Sequence, residues 1–101
     1  MGKLVRDRIP AIIAATGRTP DVRVLGEAEY LPALRDKLVE EAEEARACEP
    51  SQLVEELADV YEVLAATAAA LGVTWADVTA TAERKRAERG GFADRLFLQS
   101  W

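Results

Sequence analysis

Apolar residues recur at intervals of three and four along most of this chain, a spacing that places them on one face of an α-helix. Three long segments follow this pattern, at about 27–47, 51–71 and 75–89. A shorter segment from Lys3 to Ala15 contains Pro10, which predicts a helix that is interrupted or begins near the proline. Because the connections are short, the sequence predicts an all-α bundle of three long helices and a short N-terminal helix, with neighbouring long helices antiparallel.

Turn and capping residues mark the boundaries of these segments. Gly17, Gly72 and Gly90-Gly91 each follow an apolar segment and predict helix ends. Thr74-Trp75-Ala76-Asp77 resembles a capping box with Asp in place of Glu, so it predicts the start of the third long helix. The run Val22-Arg23-Val24-Leu25 predicts an isolated strand or an extended arm.

Length and composition restrict both the architecture and the chemistry. The chain has 101 residues, of which 50% are hydrophobic, so residues 1–101 are expected to form a single domain. It contains no histidine, which excludes Ser-His-Asp and Cys-His catalysis and zinc sites that use histidine. The single Cys48, together with the lack of a secretory signal or a bilayer-spanning apolar run, predicts a cytoplasmic protein without a membrane partner.

Charge is distributed unevenly along the chain. From Glu27 to Glu62 there are 12 acidic and 3 basic residues, a net −9, whereas the rest has 6 acidic and 10 basic residues, a net +4. The overall charge of −5 argues against binding to a nucleic-acid polymer. The asymmetry has two interpretations: solvated helix faces of opposite sign that pack together, or a cation site beside an anion site.

Acidic residues are concentrated in two clusters on the first two long segments. These clusters are Glu40-Glu41-Ala42-Glu43-Glu44 and Glu55-Glu56-Leu57-Ala58-Asp59. Each contains a pair of acids three residues apart, Glu41 with Glu44 and Glu56 with Asp59. Residues with this spacing lie on one side of a helix, so each pair can direct both carboxylates at the same object.

The two helical wheels place acids within the apolar faces. The apolar stripes consist of Leu31, Leu34, Leu38, Ala42 and Ala45, and of Leu53, Leu57, Val60, Leu64, Ala68 and Leu71. With about 100° of rotation per residue, Glu41 lies roughly 60° from the centre of the first stripe, and Glu56 lies near the edge of the second. Glu41 and Glu56 are therefore expected to be partly buried.

Buried carboxylates need a compensating charge, because an unpartnered one is costly to bury or becomes neutral. Mg²⁺ or Mn²⁺, which favour oxygen ligands, would remove this cost and hold the carboxylates of two facing helices together. The alternative is that Glu41 and Glu56 pair with Lys37, Arg46 or a basic residue of an end segment. The acidic pattern alone leaves both interpretations open.

Basic residues supply groups that bind oxyanions. Lys85 and Arg89 lie four residues apart on the third long helix, and Lys3, Arg6 and Arg8 lie near the N-terminus. Cations of this kind, together with carboxylates that hold metal ions, form the residue set required for chemistry on a polyphosphate. For Lys85 and Arg89 the alternative is a favourable interaction with the C-terminal end of the helix dipole. The sequence contains no Gly-rich phosphate loop.

These motifs resemble a known superfamily. Glu40-Glu41-Ala42-Glu43-Glu44, followed by Glu56-Leu57-Ala58-Asp59, resembles the E-E-x-x-E and E-x-x-D pattern of the all-α nucleoside triphosphate pyrophosphohydrolases. This MazG-like superfamily includes phosphoribosyl-ATP pyrophosphohydrolase and the dimeric dUTPases. Two further segments resemble a small single-domain subgroup: Lys3-Leu4-Val5-Arg6-Asp7-Arg8-Ile9-Pro10 and Lys85-Arg86-Ala87-Glu88-Arg89-Gly90-Gly91-Phe92. The resemblance therefore extends over nearly the whole chain.

The resemblance implies an activity, a cofactor and an assembly. It implies hydrolysis of a nucleoside triphosphate to the monophosphate and pyrophosphate with Mg²⁺ or Mn²⁺, as house-cleaning of the nucleotide pool. It also implies a bundle completed by oligomerisation, as a homodimer or a dimer of dimers. The metal ligands that it implies are Glu41, Glu44, Glu56 and Asp59. In the mechanism that we expect, Glu40 or Glu41 orients or deprotonates the attacking water. Phosphate would be bound by Lys85, Arg89 and Arg6.

Other functions fit the same residues. A nucleotide or metal sensor would keep the site without turnover, and a helical interaction module would use its acids only for solvation. Hydrolysis of phosphoribosyl-ATP would differ from the first interpretation in substrate alone. Four aromatic residues are candidates either for contacts with a base or for core and interface packing: Trp75, Trp101, Tyr61 and Phe92.

Overall fold

A computed structural model describes residues 2–101 and contains four α-helices and no strand within that range. The helices are α1 (Ile9–Ala15), α2 (Glu27–Ala47), α3 (Leu53–Ala70) and α4 (Trp75–Arg89), with a 3₁₀ turn at Pro50–Gln52. The all-α prediction is confirmed, and α1 begins beside its proline as expected. Residues 22–25 lie in an irregular segment, so the strand alternative is wrong and the run connects α1 to α2 without strand pairing.

The start of α4 is a reciprocal capping box. The Thr74 hydroxyl oxygen accepts a hydrogen bond from the Asp77 backbone N–H at 3.1 Å, and an Asp77 carboxylate oxygen accepts one from the Thr74 N–H at 2.9 Å. Two of the N–H groups that a helix start leaves without partners are thereby satisfied. The bond from the Thr74 backbone lowers the pKa of Asp77, and that from its side chain adds to the effect. The predicted capping box is confirmed.

The start of α2 is held by a charged pair. Glu29 accepts a hydrogen bond from the Gly26 N–H at 3.0 Å, and the Arg23 guanidinium donates to both of its carboxylate oxygens at 2.7 and 3.0 Å. These bonds lower the pKa of Glu29 to about 2, and the hydrogen bonds from Arg23 contribute most. The irregular segment that contains Arg23 is therefore tied to the first turn of α2.

Glycines end two of the long helices. Gly72 follows α3 with φ of +76°, and Gly90 follows α4 with φ of +82°. Residues with a Cβ rarely adopt these left-handed conformations, which satisfy the last carbonyls of a helix while the chain changes direction. Both predicted helix ends are confirmed.

The helices α2 and α3 pack against each other and form the centre of the molecule. The buried apolar side chains of the described residues are Leu34, Val63 and Ala68. On α2, the predicted stripe is largely confirmed, because Leu34 is buried and Leu38 is half-buried, although Ala42 is exposed. The buried charged residue among the described side chains, Glu41, lies on this same face.

The apolar face of α3 is oriented differently from the prediction. Leu57 and Leu71, assigned to the core by the helical wheel, are 54% and 58% exposed. Val63, outside the predicted stripe, is buried. Of the stripe itself, Ala68 is buried, Val60 is half-buried and the others are exposed. The prediction was wrong because α3 is apolar around most of its circumference, so that periodicity alone does not define the face that packs on α2.

Helix α4 leaves the α2–α3 pair instead of folding back along it. The chain turns through 110° between 50–70 and 75–89, so the antiparallel prediction for α3 and α4 is wrong. The Trp75 ring packs edge-on against Tyr61 with 5.0 Å between centroids. No described Cα of α4 lies within 8 Å of a Cα of α2. Only the first turn of α4 is therefore anchored, and Val78 and the residues after it are exposed.

The described chain is more open than a compact chain of the same length. The radius of gyration is 17.3 Å, whereas a compact chain of this length has one of about 13 Å. The accessible surface is 9028 Å², whereas a folded monomer of this mass exposes about 5,600 Å². A single chain thus leaves its apolar surface incompletely covered.

Within the described range, no single helix is both long enough and apolar enough to cross a membrane. The two segments 50–70 and 75–89 reach the required length and composition only when they are taken together across their 110° bend.

The capping box gives a direct test of how α4 is anchored. We expect Thr74→Ala to lower the free energy of unfolding by about 1 kcal/mol, because the substitution removes the acceptor for the Asp77 N–H. The matched control is Thr79→Ala, whose hydroxyl bonds to the Ala76 carbonyl within the helix and caps nothing. Chemical denaturation at one fixed protein concentration measures both variants, and equal stability of the two would contradict a stabilising cap.

Candidate metal centre

Three carboxylates from the two packed helices meet at one point. Glu41 comes from α2, and Glu56 and Asp59 come from α3. One carboxylate oxygen of each lies within 4.8 Å of the others. The three-residue spacing of Glu56 and Asp59 directs both toward α2, as predicted. We call these three residues the acidic cluster.

Burial makes the acidic cluster costly unless it is compensated. Glu41 is 8% exposed, and Glu56 is half-buried, which confirms the prediction that both are partly buried. Among the described side chains, Glu41 Oε2 and Glu56 Oε2 are buried without a hydrogen-bond partner. A carboxylate oxygen without water or a donor loses its solvation and gains nothing in return. A nearby positive charge would therefore stabilise both oxygens.

Lys37 supplies part of that charge from within α2. Its ammonium lies 3.2 Å from Glu41 Oε1 and 3.1 Å from Glu40 Oε2, and its side chain is 15% exposed. Burial, which lowers the pKa of Lys37, is outweighed by the hydrogen bonds to Glu40 and Glu41, so the pKa is raised. The ion-pair alternative for Glu41 is therefore realised at one of its two oxygens.

Glu40 lies beside the acidic cluster and not within it. It accepts hydrogen bonds from Lys37 and Lys3, at 3.1 and 3.3 Å. The bond from Lys37 contributes most to lowering the pKa of Glu40. Glu40 thus forms a bridge between α2 and the N-terminus.

Glu44, the fourth predicted metal ligand, lies at the rim. It is exposed and is not part of the group of three oxygens within 4.8 Å. The negative charge of Glu41 raises the pKa of Glu44, and the charges of Glu56 and Glu40 add to the effect. Glu44 therefore lies beside Glu41 and within the electrostatic field of the acidic cluster, although it is outside the group of three.

The irregular N-terminal segment, residues 2–8, covers one side of the cluster. Arg6 donates to Asp59 Oδ1 at 2.5 Å, and Lys3 reaches Glu40. A cleft of about 640 Å³ separates this segment from α2 and α3. Its lining includes Arg6, Glu41, Glu44 and Asp59. The cleft therefore brings one predicted phosphate-binding residue together with three of the four predicted metal ligands.

The two predicted phosphate-binding residues of α4 are not brought to the cluster within one chain. Lys85 and Arg89 are exposed on α4, which makes no approach to α2 in the described part of the chain. Val78, which lies on the same side of α4 as these two residues, is exposed as well. Within a single chain these cations therefore lie apart from the carboxylates.

None of the four aromatic residues considered for base contacts lines the cleft. Tyr61 and Trp75 pack on each other, while Phe92 and Trp101 are exposed in the tail. The aromatic side chain that lines the cleft is Tyr30, which sequence reasoning did not single out. Tyr30 lies four residues before Leu34, and this spacing indicated that it shares the inward face of α2.

The residues of the cluster fit a hard divalent cation. All of the donors are carboxylate oxygens, which Mg²⁺ and Mn²⁺ prefer, and soft sulfur or imidazole ligands are lacking among them. The two buried oxygens without partners are the atoms that an ion would satisfy. Glu41, Glu56 and Asp59 would hold such an ion, with Glu44 at the edge.

Comparison with known proteins adds little to this geometry. No protein-family model matches the chain, and no solved structure matches it. An uncharacterized protein of Mycolicibacterium smegmatis is 55% identical to it over 49 residues, which are 48% of this chain and 50% of that protein. The chain thus spans about half the length of the curated relative that it matches.

The raised pKa of Glu44 predicts a pH-dependent stability in divalent-free buffer. A carboxyl group whose folded pKa exceeds its ordinary value of 4.5 destabilises the folded state once it is ionised, so this penalty grows as the pH rises through the folded pKa. We expect Glu44→Gln to raise the melting temperature at about pH 7 and to lose this advantage towards pH 4.5. Calorimetric melts over this range measure the difference.

Glu43→Gln is the control for this experiment, because Glu43 is an exposed neighbour on the same helix. An equal, pH-independent shift in both variants would show that general charge reduction, and not the field of the acidic cluster, is responsible.

Proposed function

We propose that this protein hydrolyses a nucleoside triphosphate to the monophosphate and pyrophosphate, with Mg²⁺ or Mn²⁺, as a cytoplasmic house-cleaning enzyme. The observation that carries the proposal is the pair of buried, unpartnered oxygens of Glu41 and Glu56 beside Asp59. The resemblance of the acidic and basic motifs to the MazG-like superfamily supports it. The cleft, which Arg6 lines together with Glu41, Glu44 and Asp59, supports a polyphosphate as the ligand.

A divalent ion accounts for the acidic cluster better than ion pairs alone. Lys37 compensates one oxygen of Glu41, and Arg6 compensates one oxygen of Asp59. Neither reaches Glu56, which has no ion pair among the described residues. The substantial burial cost of this carboxylate is offset if a cation binds between the two helices.

The proposed chemistry divides between the acids and the cations of the cleft. When bound, Mg²⁺ would act as a Lewis acid toward phosphate oxygens and lower the pKa of water. Of the two candidates for orienting the attacking water, Glu41 is favoured, because it belongs to the acidic cluster. Glu40 is held by two lysines that lower its pKa, which makes it a weaker base.

Basic residues on two parts of the chain would bind the phosphate groups. Arg6 lines the cleft directly and can form a charge-assisted hydrogen bond with a phosphate oxygen. Lys85 and Arg89 serve the reaction only across a subunit boundary, because α4 leads away from α2. We therefore assign them to the site of a second copy, where they would stabilise the departing pyrophosphate.

The same geometry supports assembly as a homodimer or a dimer of dimers. The accessible surface exceeds that of a typical folded monomer by about 3,400 Å², which is more than a standard interface buries on each partner. Exposed leucines on α3 supply an apolar face of the kind that obligate subunits cover. The largest of these exposures belong to Leu57 and Leu71.

The function is tested by Glu56→Gln, which removes a charge without breaking an ion pair. We expect pyrophosphate release from a panel of canonical and damaged nucleoside triphosphates to fall by about a hundredfold or more, since several kcal/mol of transition-state stabilisation depend on the ion. Stabilisation of the fold by Mg²⁺, measured as a shift in melting temperature, should disappear with it. Glu55→Gln, on the exposed side of α3, is the matched control and should retain both.

The same measurements separate the other functions. A sensor would bind Mg²⁺ through Glu56 but show no turnover with any substrate in the wild type. An interaction module would show neither turnover nor Mg²⁺-dependent stabilisation, and Glu56→Gln would simply raise its melting temperature. The panel includes phosphoribosyl-ATP. If the protein hydrolyses this compound and no other, phosphoribosyl-ATP is its substrate.

The assembly is tested by its mass in solution. Light scattering coupled to gel filtration should give at least twice the chain mass at micromolar concentration, and Leu57→Asp should shift the protein toward the monomer by placing a charge in the apolar face. Val24→Asp is the control, since Val24 is 94% exposed in the irregular segment before α2. A wild-type monomer at all concentrations would contradict the proposed assembly.

A further inference from the structure

The N-terminal segment, residues 2–8, is attached to both acid-bearing helices through charge. Lys3 Nζ lies 3.3 Å from Glu40 Oε1 on α2, and an Arg6 guanidinium nitrogen lies 2.5 Å from Asp59 Oδ1 on α3. The segment is not helical, and none of its backbone N–H groups from Gly2 to Val5 donates a backbone hydrogen bond in the described structure. Side-chain contacts, and not backbone bonds, therefore hold it against the cleft.

Arg6 contacts a carboxylate that the acidic cluster would offer to an ion. Asp59 supplies one of the three oxygens that lie within 4.8 Å of one another. A guanidinium beside a metal ligand repels an approaching cation and competes for the lone pairs of the carboxylate. Pairing with Arg6 and coordination of a divalent ion are therefore linked, and each weakens the other.

We propose that Arg6 is an exchange residue: its guanidinium pairs with Asp59 when no divalent ion is bound, and moves to the phosphates of the substrate when an ion takes Asp59. This inference rests on the proposed function and adds the link between ion binding and the N-terminal segment. The competition of the positive ion and the positive guanidinium for one carboxylate sends Arg6 into the cleft, where the negative phosphates would lie.

The contrast with Lys37 explains why Arg6 is the group that exchanges. The Lys37 side chain is 15% exposed and rises from the middle of α2, so its position beside Glu41 is fixed by the helix. The Arg6 and Asp59 side chains are 55% and 40% exposed, and Arg6 belongs to an irregular segment. An exposed pair of this kind is weak and screened by salt, so its replacement requires only a small difference in free energy.

The alternative role for Arg6 is a static clamp that orients Asp59 for coordination. Removing a clamp weakens metal binding, because groups that orient a ligand support its affinity. Removing a competitor strengthens metal binding. The two roles therefore predict opposite signs for the same measurement.

The test is a titration with Mn²⁺ alone, followed by electron paramagnetic resonance at low ionic strength. We expect Arg6→Gln to bind Mn²⁺ about two- to fivefold more tightly than the wild type, the range that an exposed ion pair supports. Arg8→Gln is the matched control, because it removes the same charge two residues away from an exposed arginine without an ion pair among the described residues. The change in Mn²⁺ affinity caused by Arg8→Gln should be less than about half of that caused by Arg6→Gln. Added salt should reduce the effect of Arg6→Gln.

Nuclear magnetic resonance of the Arg6 guanidinium provides a second measurement, with diamagnetic Mg²⁺ in place of Mn²⁺. Mg²⁺ should shift the guanidinium N–H resonances of Arg6 by breaking its bond to Asp59, and subsequent addition of inorganic tripolyphosphate should shift them to positions that differ from those of the ion-free protein. A return to the ion-free positions would show only that tripolyphosphate had removed the ion. The variant Arg6→Lys, which keeps the charge on a more flexible side chain, should fall between the wild type and Arg6→Gln in Mn²⁺ affinity.

The outcomes distinguish this inference from the proposed function. Binding of Mn²⁺ by the wild type that Glu56→Gln abolishes supports the metal centre independently of Arg6. With that result in hand, an unchanged or weaker affinity of Arg6→Gln overturns the exchange and leaves a clamp. Absence of Mn²⁺ binding by the wild type overturns the metal centre and the exchange together.

Discussion

The concentration of negative charge between α2 and α3 is the constraint on which the rest of this structure depends. Two helices that pack through carboxylates as well as through Leu34 and Val63 bring like charges together in a region that water cannot fully solvate. Two cations partly compensate this charge: Lys37 within α2, and Arg6 from the N-terminal segment. These cations leave Glu41 Oε2 and Glu56 Oε2 without partners, so the negative charge between the helices is only partly compensated.

Local physics explains what the sequence alone could predict. Helix boundaries depend on capping groups and on glycines within a few residues, so the box at Thr74 and the stop at Gly72 were foreseeable. The partial burial of Glu41 followed equally from its place on a helix with one clear apolar face. The prediction failed where the packing face had to be chosen on α3, because a helix that is apolar around most of its circumference carries little such information in its period. The contact of Arg6 with Asp59 spans 53 residues of sequence and depends on the path of an irregular segment, which no short-range pattern encodes.

The misplaced stripe of α3 and the departure of α4 have one feature in common. Both elements expose surface that a single chain does not cover: leucines such as Leu57 on α3, and nearly the whole length of α4 beyond Trp75. Periodicity correctly identified these surfaces as apolar or amphipathic, but it assigned them to a core within one chain. If a second copy covers them, the wheel of α3 has two buried faces, one toward α2 and one toward the partner. The separation of Lys85 from the acids then reflects a site divided between chains, since the cations of α4 would reach the carboxylates only from outside their own chain.

The way in which each cation is anchored decides what it can do. Lys37 is largely buried on a helix, so it stays beside Glu41 and limits the net negative charge whether or not other ligands bind. Lys3 and Arg6 are exposed and are carried by a segment that lacks backbone hydrogen bonds over its first residues, so their pairing responds to whatever charge enters the cleft. A fixed counter-charge lowers the cost of keeping carboxylates together, while exchangeable counter-charges would leave the same carboxylates available to the proposed ion. Anchoring all three cations on helices would favour the ion-free fold at the expense of coordination, and anchoring none would leave the interface between α2 and α3 repulsive.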